Sequence, residues 1–530
     1  MTEARTILKN LLARGAFPQE LPPPFSSKPF SDVVIAETSL PALFTSGKYM
    51  SKPATYNLAR AGTLHRLMGI PNPVSYFPLA SFVSNNWAML FPDDGLGYSL
   101  SRPIVSEKDT GRAIERKHPL GGRVSSRARI RSCSRFLVRA DISRFYHSIY
   151  THTIPWVLHT KTEAKKRRRP DDLFGNMLDM LVRSAQDGQT LGIPVGPDTS
   201  LVIAELILSA IDKIMHEDGH RRWFRYMDDF EVGCDGHGAA EMVLATLQRA
   251  LSEYGLALNP NKTVIVELPE EIDSTGVTSL RCFRFRTSAS GQLSDITNYF
   301  NQAFRTAKEY PQEQILKYSV KRLAGEQILR ENWEFVQNIY MQCVGVEPGV
   351  LPPVLDQAVF YRDRHDYTID VDRWGIVLNS VVKRHAPMGH SSEVAWALWA
   401  AIGLGVVLSS DAGNAASDMQ DDCVALLLLD AIQKSHIKDM SEPPEGVRGL
   451  MTAVELNDSH WLLSYEANVK GWGDHREADW VAEDEAFAFL KSKGVTFYDS
   501  FCTCDPSAIE ERRAVPIAGE FIVGSESYAR

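Results

Sequence analysis

Residues 224–230 read Phe-Arg-Tyr-Met-Asp-Asp-Phe, and the segment from Trp223 to Phe230 reads as the tip of a β-hairpin carrying two adjacent acids. In an extended hairpin neighbouring side chains point to opposite faces. A tight turn relaxes that rule and lets Asp228 and Asp229 approach one cluster. An Asp-Asp pair is equally a polar turn, so its surroundings decide. Upstream, the apolar run Phe136–Ala140 ends on Asp141, which suits a strand edge. From Ser200 to Met215 an apolar helical stripe runs through Leu201, Ile203, Ala204, Ile207, Leu208 and Ile211. Downstream, Met242, Val243, Leu247, Ala250, Leu251 and Tyr254 repeat at helical spacing until Gly255 ends the helix. Val264 to Leu268 then reads as a strand. Strand, helix, hairpin, helix, strand is the order of an α+β platform. After about Asp295 helical periodicity dominates, as in 295–308, 312–340 and 391–408.

The platform offers Asp141, Asp228 and Asp229 as candidate metal ligands. Nucleotidyl transfer with two metals needs carboxylates that bridge ions about 3.5–4 Å apart. Magnesium takes oxygen ligands and keeps water and substrate phosphates in its other positions. Other catalytic signatures are absent: there is no HExxH and no G-x-S-x-G, and Ser46-Gly47-Lys48 lacks the earlier glycine of a phosphate loop.

The whole chain has 530 residues, which suggests about three or four domains. With 44% hydrophobic and 23% charged residues it is neither a disordered chain, a collagen-like fibre nor a disulfide scaffold. Its net charge of −9 argues against a nucleic-acid partner only until the charges are mapped. Arg116, Lys117, Arg123, Arg127, Arg129, Arg131, Arg135 and Arg139 form a basic segment without one acid. A second run, Lys165-Lys166-Arg167-Arg168-Arg169, follows, whereas acids gather between Gly471 and Leu490. A basic N-terminal half is the footprint of a nucleic-acid channel, with a solvated face as the alternative for the five-residue run. The seven cysteines are odd in number and show no zinc spacing, so reduced thiols in the cytoplasm are expected. The N-terminus has no apolar targeting core, and Val394 to Ser410 is shorter than the roughly 20 apolar residues of a spanning helix. No membrane partner is therefore expected.

Four blocks in fixed order carry a resemblance: VRADISRFYHSIY at 138–150, QTLGIPVGPDTS at 189–200, FRYMDDF at 224–230 and LNPNKT at 258–263. Together they resemble the catalytic blocks of reverse transcriptases. The wording of the first two, with the later SSEVAWALWA and LLSYEANVKGW, resembles bacterial defence-associated and abortive-infection reverse transcriptases. The resemblance implies a right-hand polymerase of fingers, palm and thumb followed by an all-α, helical-repeat-like C-terminal domain. The expected divisions are an N-terminal region and fingers at 1–135, a palm at 136–290, thumb-like helices at 291–350 and a helical domain at 351–530.

The same resemblance assigns roles. Asp141 and Asp228 bind both of two magnesium ions, with manganese as the substitute, and Asp229 completes the cluster. The backbone carbonyl of Ile142 is a further metal ligand. Tyr146 falls at the steric gate that selects deoxynucleotides, while Phe145 reads as core. Gly192, Pro194 and Gly196 let backbone approach the base pair, and Val195 stands where many viral members carry glutamine. Lys262 is expected at the leaving pyrophosphate. YNLARAGTLHRLMGIPNP at 56–73 resembles the block before the fingers strands, which makes Arg60 and Arg66, with Arg112 third, candidates for the triphosphate. Arg127, Arg129, Arg167, Arg168 and Arg169 are candidates for the nucleic-acid path. The implied partners are dNTPs, a non-coding RNA or single-stranded DNA product, a homo-oligomer and a second defence protein. Tyr498 and Tyr528 are conceivable acceptors of a protein-linked product. A retron- or intron-type enzyme copying a dedicated RNA, and a catalytically silent scaffold, are the competing readings.

Overall fold

The computed structural model describes residues 3–60, 64–92, 95–118, 121–273, 275–472, 479–505, 507, 509 and 510. Its strands are β1 Ala54–Ala59, β2 His65–Ile70, β3 Pro103–Val105, β4 Ile114–Arg116, β5 Phe136–Asp141, β6 Trp223–Tyr226, β7 Asp229–Cys234 and β8 Val264–Glu267. The last four form one antiparallel sheet in the order β6-β7-β5-β8. This is the platform expected from the sequence. Its strands β6 and β7 are buried along their whole length. The amphipathic helix His237–Glu253 covers β5 and β7, and Gly255 ends the helix region at φ +73°. Behind it packs Asp198–Glu217, a helix buried on nearly every side of its first three turns.

Two smaller hairpins flank the platform. β1 and β2 pair from Ala54–Ile70 to Ala59–His65, and β3 pairs with β4. Beyond the platform the chain is helical. The stretch expected to be helical from Gln312 to Tyr340 is two helices, Ile315–Ala324 and Arg330–Val346. They are separated at Gly325, whose extra backbone freedom disfavours continuing the helix.

The C-terminal helices are not a separate appendage. Ser391–Leu404 packs on Leu351–His365, Val371–His385 and Asp422–Gln433, and also on β1. The indole of Trp461 donates to the Ile70 carbonyl at 3.1 Å, and Asn72 donates to the Leu456 carbonyl at 2.8 Å. Phe17 stacks on Phe497 and meets Trp461 edge-on. One hydrophobic core runs through the N-terminal helices, the platform and the C-terminal helices. Among the described residues no helix is long and apolar enough to cross a membrane. All seven cysteines are free.

Candidate active site

Tyr226 lies opposite Asp229 in the β6–β7 ladder, so Met227 and Asp228 make a two-residue turn. Such a turn needs a left-handed residue. Here Met227 takes it, at φ +53°, and its N–H donates to Ser101 Oγ at 2.6 Å. A bulky side chain in that region costs about 1–3 kcal/mol, the kind of strain found where function fixes the residue. β5 pairs with β7 in the register that sets Asp141 opposite Asp229. The turn and the register together bring Asp141, Asp228 and Asp229 to one end of the sheet.

All three aspartates are buried. Burial, then the charges of Asp229 and Asp141, push the Asp228 carboxyl well above the usual carboxylate range. Polar contacts hold the other two. Asn259 Nδ2 donates to Asp141 Oδ1 at 2.9 Å, and Lys262 Nζ reaches Oδ2 at 3.3 Å. Arg123 Nη2 lies 3.5 Å from Asp229 Oδ2. Lys262 thus sits on a carboxylate of the cluster in this structure. Ile142 is buried and its backbone bridges to Leu258. The donor set is all oxygen, and its mutual repulsion is what a divalent cation relieves, so these residues fit magnesium. A cavity of about 220 Å³ on this face is lined by Arg123, Asp141, Asp229 and Lys262.

Tyr146 and Phe145 are both buried and meet edge-to-face with centroids 5.4 Å apart. The Tyr146 carbonyl accepts from Ile193 N–H at 2.9 Å, which seats the 189–200 loop beside it. Gly192 has φ +84° and Gly196 φ +127°. A Cβ on Gly196 would come within 3.0 Å of Pro18 and 3.1 Å of the Gly69 carbonyl, so the missing side chain lets the loop close on β2. Its own carbonyl accepts from Arg112. Arg112, expected near the triphosphate, instead grips the fully buried Asp198, with Nε at 2.6 Å. Burial raises the Asp198 carboxyl, and Arg112 opposes that rise.

Arg66 lies on β2, nearly buried, and its charge acts on both Asp228 and His147. Arg60, just after β1, is half-buried, and its N–H donates to the Leu64 carbonyl at 3.3 Å. The two basic runs part company. Arg127 and Arg131 converge on buried Glu231 at 2.7 and 3.3 Å, and Arg135 and Arg139 pair with Glu267 and Glu270. Burial would raise the Glu231 carboxyl, but Arg127 and Arg123 outweigh it and hold it low. Arg129 points to solvent, as do Arg167, Arg168 and Arg169 after the short helix Lys161–Lys166. Tyr498 is buried and donates to Asp430 at 2.8 Å, which removes it from reach as an acceptor. Tyr528 lies outside the described residues.

Three partners have little or no signature in the sequence. Arg225, within the hairpin motif, is fully buried and binds Asp212 and Glu205 at 2.7 and 2.8 Å. A lone arginine in the apolar run Trp223–Tyr226 is the signal that points to it. Arg116 stacks 4.9 Å from the Tyr226 ring centroid and donates to its hydroxyl. Asn259 is visible only as a neighbour of Lys262 in LNPNKT.

Residues 97–279 match the family described as "Reverse transcriptase (RNA-dependent DNA polymerase)". No curated protein sequence matches the chain. Among solved structures, an apo telomerase from Candida tropicalis is similar at 11% identity and a TM-score of 0.31, too loose a likeness to carry a conclusion. That alignment covers 60% of this chain and 64% of the telomerase chain. The matched segment contains the whole carboxylate cluster and the four blocks that resemble the family. Residues 97–279 are thus similar in sequence to the reverse transcriptase domain family, and they hold all three carboxylates.

Proposed function

We propose that the chain polymerises deoxynucleotides on bound nucleic acid with two magnesium ions, manganese substituting, held by Asp141, Asp228 and Asp229, and that it serves bacterial defence against phage. The observation that carries the chemistry is the Asp228 carboxyl, buried against the like charges of Asp229 and Asp141. When bound, the metals supply the charge that activates a primer hydroxyl and steadies the leaving pyrophosphate. The protein's own groups do the rest. Arg66, facing Asp228 from β2, orients the triphosphate. Lys262, resting on Asp141, is within reach of the same space and neutralises the departing phosphates. The Tyr146 ring excludes the ribose 2′-hydroxyl. The exposed Arg167–Arg169 run guides the strand.

The defence role is supported by the motif wording. Primer extension tests the chemistry: Tyr146→Ala is expected to admit ribonucleotides, and an unchanged dNTP-to-rNTP ratio would remove Tyr146 from the gate. Sequencing the nucleic acid that copurifies with the protein tests the template. RNA supports a template or cofactor, and DNA attached to protein supports self-priming. Phage challenge of cells making an Asp228→Ala variant tests defence, since undiminished protection would separate it from polymerisation.

A further inference from the structure

Outside the carboxylate cluster, three histidines and a glutamate meet where β2 touches the C-terminal helices. His65 Nε2 lies 2.7 Å from Glu393 Oε1. His385 Nδ1 and His390 Nδ1 each lie 3.6 Å from that same oxygen, and 2.9 Å from one another. The rings of His65 and His390 are stacked with centroids 3.7 Å apart. Ser392 Oγ donates to the other oxygen, Glu393 Oε2, at 2.7 Å, and the Ala59 N–H donates to Ser392 Oγ at 2.8 Å. The Glu393 side chain is 4% exposed and the three imidazoles are 11–18% exposed. Among the described residues, His65, His390 and Glu393 are the one group of three His, Cys, Asp or Glu whose ligand atoms all lie within 4.8 Å of one another.

The shortest of these separations are hydrogen-bond lengths, and the group as a whole is also of the size that a bound metal requires. Donors about 2.0–2.1 Å from a tetrahedral zinc stand roughly 3.3 Å apart. The measured spacings of 2.7 to 3.6 Å bracket that edge. His65 alone lies at hydrogen-bond distance of Glu393 Oε1, while His385 and His390 stand 3.6 Å from it and 2.9 Å from each other. The hydrogen bond from Ser392 to the second oxygen fixes the Glu393 carboxylate, as supporting groups do around metal ligands.

We infer that His65, His390 and Glu393 form a zinc site that staples the β1–β2 hairpin to the C-terminal helices, with His385 hydrogen-bonded to His390 beside it. His65 and Arg66 are neighbours on one strand, so their side chains leave it on opposite faces. The staple on one face fixes the hairpin whose other face presents Arg66 to Asp228.

The test uses the full-length protein stripped with chelator and exchanged into metal-free buffer. It is titrated with zinc alone, then passed through gel filtration and assayed for bound metal. One zinc per chain is expected, with a melting temperature about 2–4 °C higher than in the stripped protein. Cobalt in place of zinc should give the intense visible bands of a tetrahedral site. His390→Gln and His65→Asn retain a polar side chain and should lose the zinc, whereas Asp228→Asn should keep it. Folded wild-type protein that retains no zinc at micromolar concentration overturns the proposal. So does zinc that survives both histidine substitutions, or that leaves with Asp228→Asn.

Discussion

Two acid clusters meet one hairpin and are treated oppositely. Glu205 and Asp212 are closed on Arg225, which reaches both at hydrogen-bond distance and is itself buried. Asp141, Asp228 and Asp229, at the hairpin tip, meet Lys262 and Arg123 at the longer distances of 3.3 and 3.5 Å. The first cluster is complete as it stands, and its business is the fold. The second keeps Asp228 buried against the like charges of Asp229 and Asp141. The same division separates the basic runs: Arg127 and Arg131 are closed on Glu231, while Arg167, Arg168 and Arg169 face solvent.

The largest break in this contrast comes from Asp228→Ala. DNA synthesis should fall by about 10³-fold or more, the scale for losing an essential electrostatic group. The melting temperature should hold or rise, because a like charge leaves the cluster. Incorporation at the parent rate with magnesium present would refute the assignment. Arg225→Met should do the reverse and act on stability. It strands Glu205 and Asp212 in the interior, at a cost of about 3–5 kcal/mol. Adding Glu205→Leu and Asp212→Leu should recover most of that loss in a denaturant melt. If the single variant melts like the parent, the triad is not holding the platform.

A pH series sharpens the comparison. Because the native pKa of Asp228 lies above its unfolded value, the native state binds that proton more tightly. The resulting stability is full below the ordinary carboxylate range and is lost as pH rises through the native value. In chelator, Asp228→Asn should therefore gain on the parent as pH rises, and the gap should close in acid. A gap that stays constant with pH would show that Asp228 is not strained. The smallest effect belongs to the open cations. Replacing Arg167, Arg168 and Arg169 with Gln should flatten the slope of log affinity against log salt by about 0.7–0.9 for each phosphate that the run no longer neutralises. Arg127→Gln should lower the melting temperature, by weakening the cationic surround of Glu231, more than it changes that slope. Equal slopes for the triple variant and the parent would make the run a solvated face.

The platform and its three aspartates were legible in the chain because they are local. Strand, helix and hairpin periodicities are written within a few residues, and Asp228 and Asp229 are adjacent by covalent bond. Gly255 as a helix stop is likewise a matter of one residue's backbone freedom. Which charges would be closed was not legible. Arg112 finds Asp198 across 86 positions and Arg127 finds Glu231 across 104, and no spacing rule relates such pairs. The histidine–glutamate cluster joins residues 328 positions apart, so its ligands show no motif spacing at all. Local pattern determined the elements and the candidate acids, because backbone geometry repeats over two to four residues. Tertiary packing alone decided the partner of each buried charge, because burial removes water and makes whatever countercharge lies across the core obligatory.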